Sequence, residues 1–472
     1  MNENVLSRRS LLTASSLGLL GAGLAPTADA STRWRMMSET VVSPPRPAWA
    51  VIPPSYRGLM GTSGPDGIPL LPLKDGRKVI HPTQLGNFLN SHLESYQLDK
   101  DRGHLAYVGQ VTEALMKRSA RRQGARFLAY EFDWHSRHGV LADPWYSAFG
   151  QAKFPRICYW MWEFTGQRKW QQYMQEVLQA FWMPPVRSRP AEPWIAGTDV
   201  NNCLWLEEYP EPGGVPSGVF NGHFYALSEL AYFTQLSGDA RTKDLVQGAA
   251  ATLDFYRNYC RVPGSASNYH AFSRSQVTSY HNVNASVYTQ LYNHTGAERI
   301  AKVVDQMVND WPITGGAASL QVNPTPVQVM KLGATAPGTP RLWTPPAGTV
   351  LRSSTRARWL GFPGVWSHMN NGPYTGWFVR ETAGRAFRLG TATDRVDFTR
   401  SRAVVFDAGR QIQGFRMDTG GRRVLARTQT LSRSSMAHSR SRALIAGQHH
   451  ILIEDGGFAG LWIPENQGVH YR

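Results

Sequence analysis

The chain has 472 residues, 42% hydrophobic and 18% charged, which is enough to bury a core and, at roughly 100 to 200 residues per domain, describes two or three domains and excludes a disordered protein. Lysine and arginine number 50 against 34 aspartates and glutamates, a net charge of +16, and such a basic exterior suits a polyanionic partner or reflects a generally basic proteome. Three cysteines, Cys158, Cys203 and Cys260, are odd in number and lack metal-type spacing, so they read as buried apolar residues, not a disulfide framework or zinc site.

The N-terminus runs Ser7-Arg8-Arg9-Ser10-Leu11-Leu12 into an apolar stretch ending Gly23-Leu24, then Ala28-Asp29-Ala30. This is a twin-arginine export pattern with a small-residue cleavage site, assigned to residues 1–30, and a mature chain is expected from near Ser31. The apolar run falls short of the roughly 18 residues that span a bilayer, and no other stretch reaches that length, so no membrane span is expected once the leader is removed. An exported product is expected, secreted, periplasmic or associated with the cell wall. For such a protein an acidic polysaccharide suits the basic charge better than nucleic acid, and some arginines could grip uronates bidentately.

Residues 31–77 are rich in proline and glycine (Pro44-Pro45-Arg46-Pro47, Pro53-Pro54, Gly61 to Gly67) and read as an extended arm. Helical spacing begins after His81. Leu85, Phe88, Leu89 and Leu93 fall on one stripe, as do Leu105, Val108, Val111 and Leu115, and then Ile157, Trp160, Met161 and Phe164. Further helices fit Trp170 to Phe181, Gly218 to Leu236, Asp244 to Tyr259, Val283 to Asn293 and Ile300 to Trp311. Three helices stop alike, at Thr165-Gly166-Gln167, Ser237-Gly238-Asp239 and Thr295-Gly296-Ala297. Each is a glycine stop followed at once by another helix. Repeated helix, turn, helix units over 78–315 describe stacked hairpins, and hairpins set around a ring make an (α/α) toroid.

Residues 316–346 have loop composition (Asn323-Pro324-Thr325-Pro326, Pro337-Gly338-Thr339-Pro340) and read as a linker. In 347–472 short alternating runs, such as Arg402 to Asp407, Ile412 to Met417 and His450 to Glu454, are parted by Asp418-Thr-Gly-Gly421 and Asp455-Gly-Gly457. That pattern predicts a small antiparallel β-sandwich or barrel. The fold class is therefore mainly α, a helical toroid followed by a β module.

Chemistry concentrates in the helical region. Trp205-Leu-Glu-Glu-Tyr-Pro210 is followed by Phe220-Asn-Gly-His223 and by Tyr269 and Tyr280. Carboxylate and phenol groups are what proton transfer to and from carbon requires. A phenolate at pH 7 costs about 4 kcal/mol unless its pKa is lowered, whereas a glutamate is already ionised but weakly basic unless burial raises its pKa. The bland readings are that such tyrosines are core residues with bonded hydroxyls, and that Glu207-Glu208 caps a helix or pairs with an arginine. His223, His281 and His294 are spread too far to imply a metal site, and neither metal nor cofactor is expected.

Taken together, Trp145-Tyr-Ser-Ala-Phe-Gly-Gln-Ala152, the Glu-Glu-Tyr-Pro segment, Val219-Phe-Asn-Gly-His-Phe224, Ser267-Asn-Tyr269 and Tyr280-His281 resemble, in order and spacing, the C-terminal domain of the D-glucuronyl C5-epimerase family. The resemblance runs from about Lys78 to Pro312 and leaves the β module unmatched. It implies a helical toroid that inverts C5 of glucuronate within a glucuronate-containing acidic polysaccharide of the heparan sulfate type, without a cofactor. By motif position it places the catalytic groups on Glu208, Tyr209, Tyr269 and Tyr280, and a substrate-contacting asparagine on Asn221. It offers Arg274 as the nearest candidate for a substrate arginine, and His281 sits beside Tyr280 as a further substrate contact. Glu208 and Tyr280 are expected as opposed base and acid, in either direction, with Tyr209 and Tyr269 holding the enediolate or ring hydroxyls. Two positions depart from the family pattern: Asn284 stands where a histidine is usual, and the loop from Tyr269 to Tyr280 lacks the usual acidic residue.

Two other functions fit the same residues. A polysaccharide lyase begins with the same C5 proton abstraction and could use Tyr280-His281 with Asn202 or Asn221. A non-catalytic glycan-binding wall protein would keep the cleft without the chemistry. Oligomeric state is not assigned by the sequence.

Overall fold

The computed structural model describes residues 33–44, 63–136, 139–333, 337–359, 361–465 and 468–472. The leader expected at 1–30 and the middle of the arm, 45–62, lie outside the described residues.

Eight helices form where the apolar stripes predict them, α1 (Pro82–Asp99), α2 (Arg102–Arg118), α4 (Phe154–Thr165), α5 (Arg168–Gln179), α6 (Phe220–Ser237), α7 (Ala240–Cys260), α8 (His281–Thr295) and α9 (Glu298–Asp310), and a short α3 (Ala148–Gln151), not expected, precedes α4. The glycine stops behave as expected. Gly166, Gly238 and Gly296 cap α4, α6 and α8 with φ of 69°, 69° and 70°, a left-handed turn that costs other residues more. Each cap folds the chain straight into the next helix, so α4/α5, α6/α7 and α8/α9 are hairpins, as is α1/α2. The first helices of successive hairpins pack together, α1 on α4, α4 on α6 and α6 on α8. All three cysteines are buried and free.

The arm residues 33–44 lie along this helical body. Trp34 is buried against Gly248 of α7, where a side chain would collide with its indole, and Val42 N donates to the carbonyl of His294.

Beyond α9 lie two seven-stranded antiparallel sheets. In the first, the strand order is Arg341–Trp343, Val327–Lys331, Trp377–Arg380, Phe362–Met369, Thr349–Trp359, Ala318–Val322, Ala386–Arg388. Residues 316–346 are therefore not a linker: three of these strands come from that stretch. Its prolines and glycines occupy the turns, while Leu320, Val322, Val327 and Val329 point into a shared apolar cluster. The second sheet is ordered Arg423–Thr430, Gln411–Met417, Trp462–Pro464, Gln448–Leu452, Ser435–Ile445, Val396–Phe406, Val469–Tyr471. Each sheet has its own apolar cluster, so the β region is larger than the single small sandwich expected.

Strand Val396–Phe406 seats the second sheet on α8 and α9. Phe398 meets Tyr292 edge-on at 5.1 Å, and Thr399 N donates to Asn293 Oδ1 at 2.9 Å. Arg402, fully buried, pairs with Glu298 at 2.6 Å and Asp305 at 2.9 Å over the Tyr471 ring. Arg442 bridges Glu465 at 2.8 Å and Asn309 at 3.0 Å. In the first sheet Arg356 pairs with Glu381 and Asp394 at 2.8 and 2.7 Å. These buried arginines are consumed by the protein's own carboxylates, and such pairs persist because one partner alone would leave an uncompensated charge.

Candidate active site

A two-stranded hairpin, Ala196–Thr198 with Leu204–Leu206, delivers the Glu-Glu-Tyr segment to the helical body. Asp199 holds its turn: Oδ1 accepts from Asn201 N and Cys203 N at 2.8 and 3.0 Å, and Oδ2 accepts from Trp205 Nε1 and Tyr256 OH at 3.0 and 2.6 Å. Asn202, with φ of 58°, takes the left-handed corner and is used there, in the turn.

The two adjacent glutamates have different work. Glu207, 1% exposed, faces inward, and its Oε2 accepts from Ser217 N and Oγ at 3.0 and 2.5 Å, tying the 211–218 loop to the hairpin. Glu208 points the other way, over the first turn of α6. There Gly222 makes room for it, since a Cβ at that position would come within 2.6 Å of Glu208 Cδ. Asn221 Nδ2 lies 3.5 Å from Glu208 Oε2, and the α6 N-terminus offers a favourable end of the helix dipole. Burial pushes the Glu208 carboxyl up to about 7, against a smaller opposing hydrogen bond from Tyr209.

Three phenols surround this carboxyl. Tyr209 lies close enough to Glu208 and Tyr269, and Tyr269 to Glu208 and Tyr280, for their charges to act on one another. The Tyr269 and Tyr280 rings meet edge-on at 4.6 Å. Burial first, and then the charges of Glu208 and the neighbouring phenols, hold Tyr209 and Tyr269 far above the usual phenol range, so both remain protonated donors. The Tyr269 loop is stitched to the start of α6 through Ala271 N to the carbonyl of Gly218 at 2.9 Å.

Glu208, Tyr209, Tyr269 and Tyr280, singled out from the sequence, are thus brought together. Asn221 joins them, 6% exposed, with an Oδ1 that has no hydrogen-bond partner among the described residues. Arg274 lies exposed on the loop between the two later tyrosines.

His281 does not point to substrate. It is 1% exposed; Nδ1 accepts from Ser267 N at 2.9 Å and Nε2 meets the Met307 carbonyl at 3.0 Å. Both ring nitrogens are spent on backbone, and burial lowers its pKa, so it is a neutral clamp between the Tyr269 loop and α9. His223 repeats the device one hairpin earlier, accepting from Leu206 N and meeting the Ala249 carbonyl of α7, both at 2.9 Å. Gln151 repeats it again, accepting from Leu128 N at 3.0 Å and donating to the Val177 carbonyl of α5 at 3.1 Å. Asn284 serves the same loop: its Nδ2 donates to Ser267 Oγ and the Asn268 carbonyl, both at 2.9 Å. The asparagine that departs from the family pattern therefore holds the segment just before Tyr269.

A cavity of about 190 Å³ opens beside Glu208 and Tyr209. Its walls include His81, Thr83, Tyr130, Trp134, Trp145 and Phe149, and none of its lining residues is a lysine or arginine. Trp134 stacks parallel to Tyr209 at 6.0 Å. Of these walls Trp145 and Phe149 stand in the motif read from the sequence, without a role assigned there, whereas His81, Thr83, Tyr130, Trp134 and Tyr225 were not singled out. That half-buried phenol, four residues after Asn221 on α6, is raised by burial and then by Glu208 and Tyr280. The helical spacing from Asn221 is the signal that pointed to it.

Residues 123–311 match the family model for the D-glucuronyl C5-epimerase C-terminus. No curated protein sequence matches the chain. Among solved structures, cellobiose 2-epimerase from Bacillus thermoamylovorans B4167 is similar at 12% identity over 48% of this chain and 58% of that one, with a TM-score of 0.34. Cellobiose 2-epimerase from Spirochaeta thermophila DSM 6192 is similar at 15% identity over 52% and 60%, with a TM-score of 0.33. A D-mannose isomerase is similar at 10% identity over 54% and 66%, with a TM-score of 0.35. The match thus spans less than two thirds of the length of each of these proteins.

Proposed function

We propose, from the D-glucuronyl C5-epimerase match of residues 123–311, that the protein is a carbohydrate epimerase that inverts C5 of glucuronate units in an acidic polysaccharide. The observation that carries this reading is the gathering of Tyr209, Tyr269 and Tyr280 about Glu208, with Glu208 and Tyr209 lining an aromatic-walled cavity. The helical hairpins are read as part of an (α/α) toroid whose inner ends supply that cavity. The leader at 1–30 would take the enzyme to an exported polysaccharide.

In the proposed mechanism the C5 proton passes to Glu208, and the electron pair of the C–H bond moves into the adjacent carboxylate as an enediolate. Tyr280 returns a proton to C5 from the opposite face of the ring. The reverse direction uses the same two groups with roles exchanged. A carboxyl held near pH 7 is a far stronger base than an exposed glutamate. Protonated phenols at Tyr209 and Tyr269 supply donors to the developing dianion, where preorganised donors are most effective. Asn221, with its amide on Glu208 and its carbonyl free of internal bonds, is placed to orient a ring hydroxyl.

A lyase using His281 is not favoured, because both its nitrogens are committed to backbone. Incubation of a glucuronate-containing polysaccharide in heavy water tests the proposal. Deuterium at C5 with chain length unchanged is expected. Shortened chains carrying an ultraviolet-absorbing unsaturated uronate would reject epimerisation in favour of elimination.

A further inference from the structure

The net charge is not spread evenly along the chain. Residues 78–315 carry 22 lysines and arginines against 21 aspartates and glutamates, whereas residues 316–472 carry 20 against 8, a difference of +12 out of the +16 of the whole chain. The helical body that holds Glu208 is therefore close to neutral, and the excess lies in the β region, beyond the matched residues 123–311. Buried pairs account for Arg356, Arg402 and Arg442 there.

The surface part of that excess gathers at one edge of the second sheet. The hairpin of Gln411–Met417 with Arg423–Thr430 and its flanking loops carry Arg410, Arg416, Arg422, Arg423, Arg427 and Arg433, all exposed. Asp418 is the one carboxylate between residues 408 and 436, and its Oδ1 serves the turn, accepting from Arg422 N at 2.7 Å. Among the described residues none of the six arginines forms an ion pair; Arg427 instead donates to the Gly457 carbonyl and to Gln429 Oε1, and Arg423 lies 3.4 Å from His450 Nε2. Arg423 and Arg427 rest on the rings of Phe415 and Phe458 at 4.9 and 5.2 Å, which positions each guanidinium and leaves most of its five donors for a ligand. Strand Arg423–Thr430 is the outermost of its sheet, and seven of its eight residues are exposed. Charge there guards an edge against pairing with another chain, but that role does not call for Arg410 and Arg433, which lie outside the strands.

We propose that this arginine-lined hairpin is a docking strip for an anionic polysaccharide, one bearing carboxylates or sulfates, separate from the cavity beside Glu208. Guanidinium groups hold oxyanions through paired N–H donors. Strand Arg423–Thr430 runs about 26 Å at roughly 3.3 Å per residue, which suits a stretch of polymer better than a single sugar. Strand Val396–Phe406, through which the sheet rests on α8 and α9, stands five strands away in the sheet order, about 24 Å at roughly 4.8 Å per strand. A polymer held on the strip stays close to the enzyme between visits to the cavity, which raises its effective concentration there. The groups about Glu208 take no part, so the strip binds an anionic chain whether or not the protein epimerises it.

The test is direct binding of the full chain to three immobilised polymers at physiological ionic strength: polyglucuronate, dextran sulfate and neutral dextran. The parent is expected to bind one or both anionic polymers and not dextran, with an affinity that falls as salt is raised. Arg416→Gln combined with Arg423→Gln and Arg427→Gln is expected to weaken that binding about tenfold. Arg341→Gln combined with Arg352→Gln and Arg385→Gln removes the same charge from exposed sites on the first sheet and is expected to change it less than about twofold. Where the melting temperature shows that the strand variant folds poorly, Arg410→Gln with Arg433→Gln tests the same strip from outside the strands, with an expected loss of about threefold. Loss with dextran sulfate alone assigns sulfate as the recognised group, and loss with polyglucuronate assigns carboxylate; either supports the strip. Binding of neither anionic polymer, dextran bound as tightly as they are, equal losses in the two triple variants, or no loss in a folded hairpin variant overturns it.

Discussion

Glu208 owes its basicity to its place. The same burial that lifts its carboxyl to about 7 makes the folded protein hold a proton that the unfolded chain releases near pH 4.5. Its contribution to stability is therefore complete below about pH 4.5 and is lost as pH rises through about 7. Glu208→Gln should abolish C5 exchange and yet, above pH 7, match or exceed the parent in thermal stability. In the parent, kcat/KM for exchange should rise through about pH 7, not pH 4 to 5, and a limb at the ordinary carboxylate pKa would remove Glu208 as the base. Gly222 belongs to the same account. Alanine there favours a helix by about 1 kcal/mol over glycine, but its methyl would enter the space of the Glu208 side chain. Gly222→Ala should keep its circular dichroism and lose about a hundredfold in exchange, the penalty of a misplaced base.

At the scale of elements, the recurring clamp explains how loops hold the side chains proposed to be catalytic. Gln151, His223 and His281 each take a backbone N–H from the segment before their own helix and contact a carbonyl on the outer helix of the hairpin. Removing one leaves a buried backbone N–H unpaired, at about 1 to 3 kcal/mol, because the helix carbonyl keeps its own helical bond, as Met307 does with Trp311 N. His281→Ala should therefore lower stability in urea by about 2 kcal/mol or more. A rise in KM with stability intact would return His281 to the substrate. Burial also lowers the His223 pKa to about 4. Its contribution is full above about pH 6.5 and is lost as pH falls towards 4. The hairpins themselves were legible in advance, because a glycine stop followed by a fresh helical stripe is a local signal that packing reinforces. Glu208, Tyr209, Tyr269 and Tyr280 were legible from motif order. The burial of His281 was not, because it depends on Met307, which is distant in sequence, and an adjacent Tyr-His pair looks the same whether or not the ring is buried. The aromatic wall at Trp134 was hidden for the same reason, and Trp145, though part of the motif, had no role assigned: only the fold brings them to the cavity.

For the molecule as a whole, the excess of arginine divides between interior and surface. Arg356, Arg388, Arg402 and Arg442 have side chains buried among the protein's own polar groups, so the number of arginines, though not the net charge, overstates what remains for a polyanion. Arg402 fastens the second sheet to α9 through Glu298 and Asp305, and its truncation strands two carboxylates. Arg402→Ala should cost about 3 to 5 kcal/mol, read as a lowered melting temperature. The strands between 318 and 343 escaped notice because prolines and glycines in their turns dominate the local composition, and pairing is decided by residues elsewhere in the sheet. The central claim is that two different groups, Glu208 and Tyr280, work on opposite faces of C5. Its most direct test is the distribution of deuterium between epimers at low conversion in heavy water. The account predicts label at C5 of the newly formed iduronate units and none in recovered glucuronate; early labelling of both would contradict it.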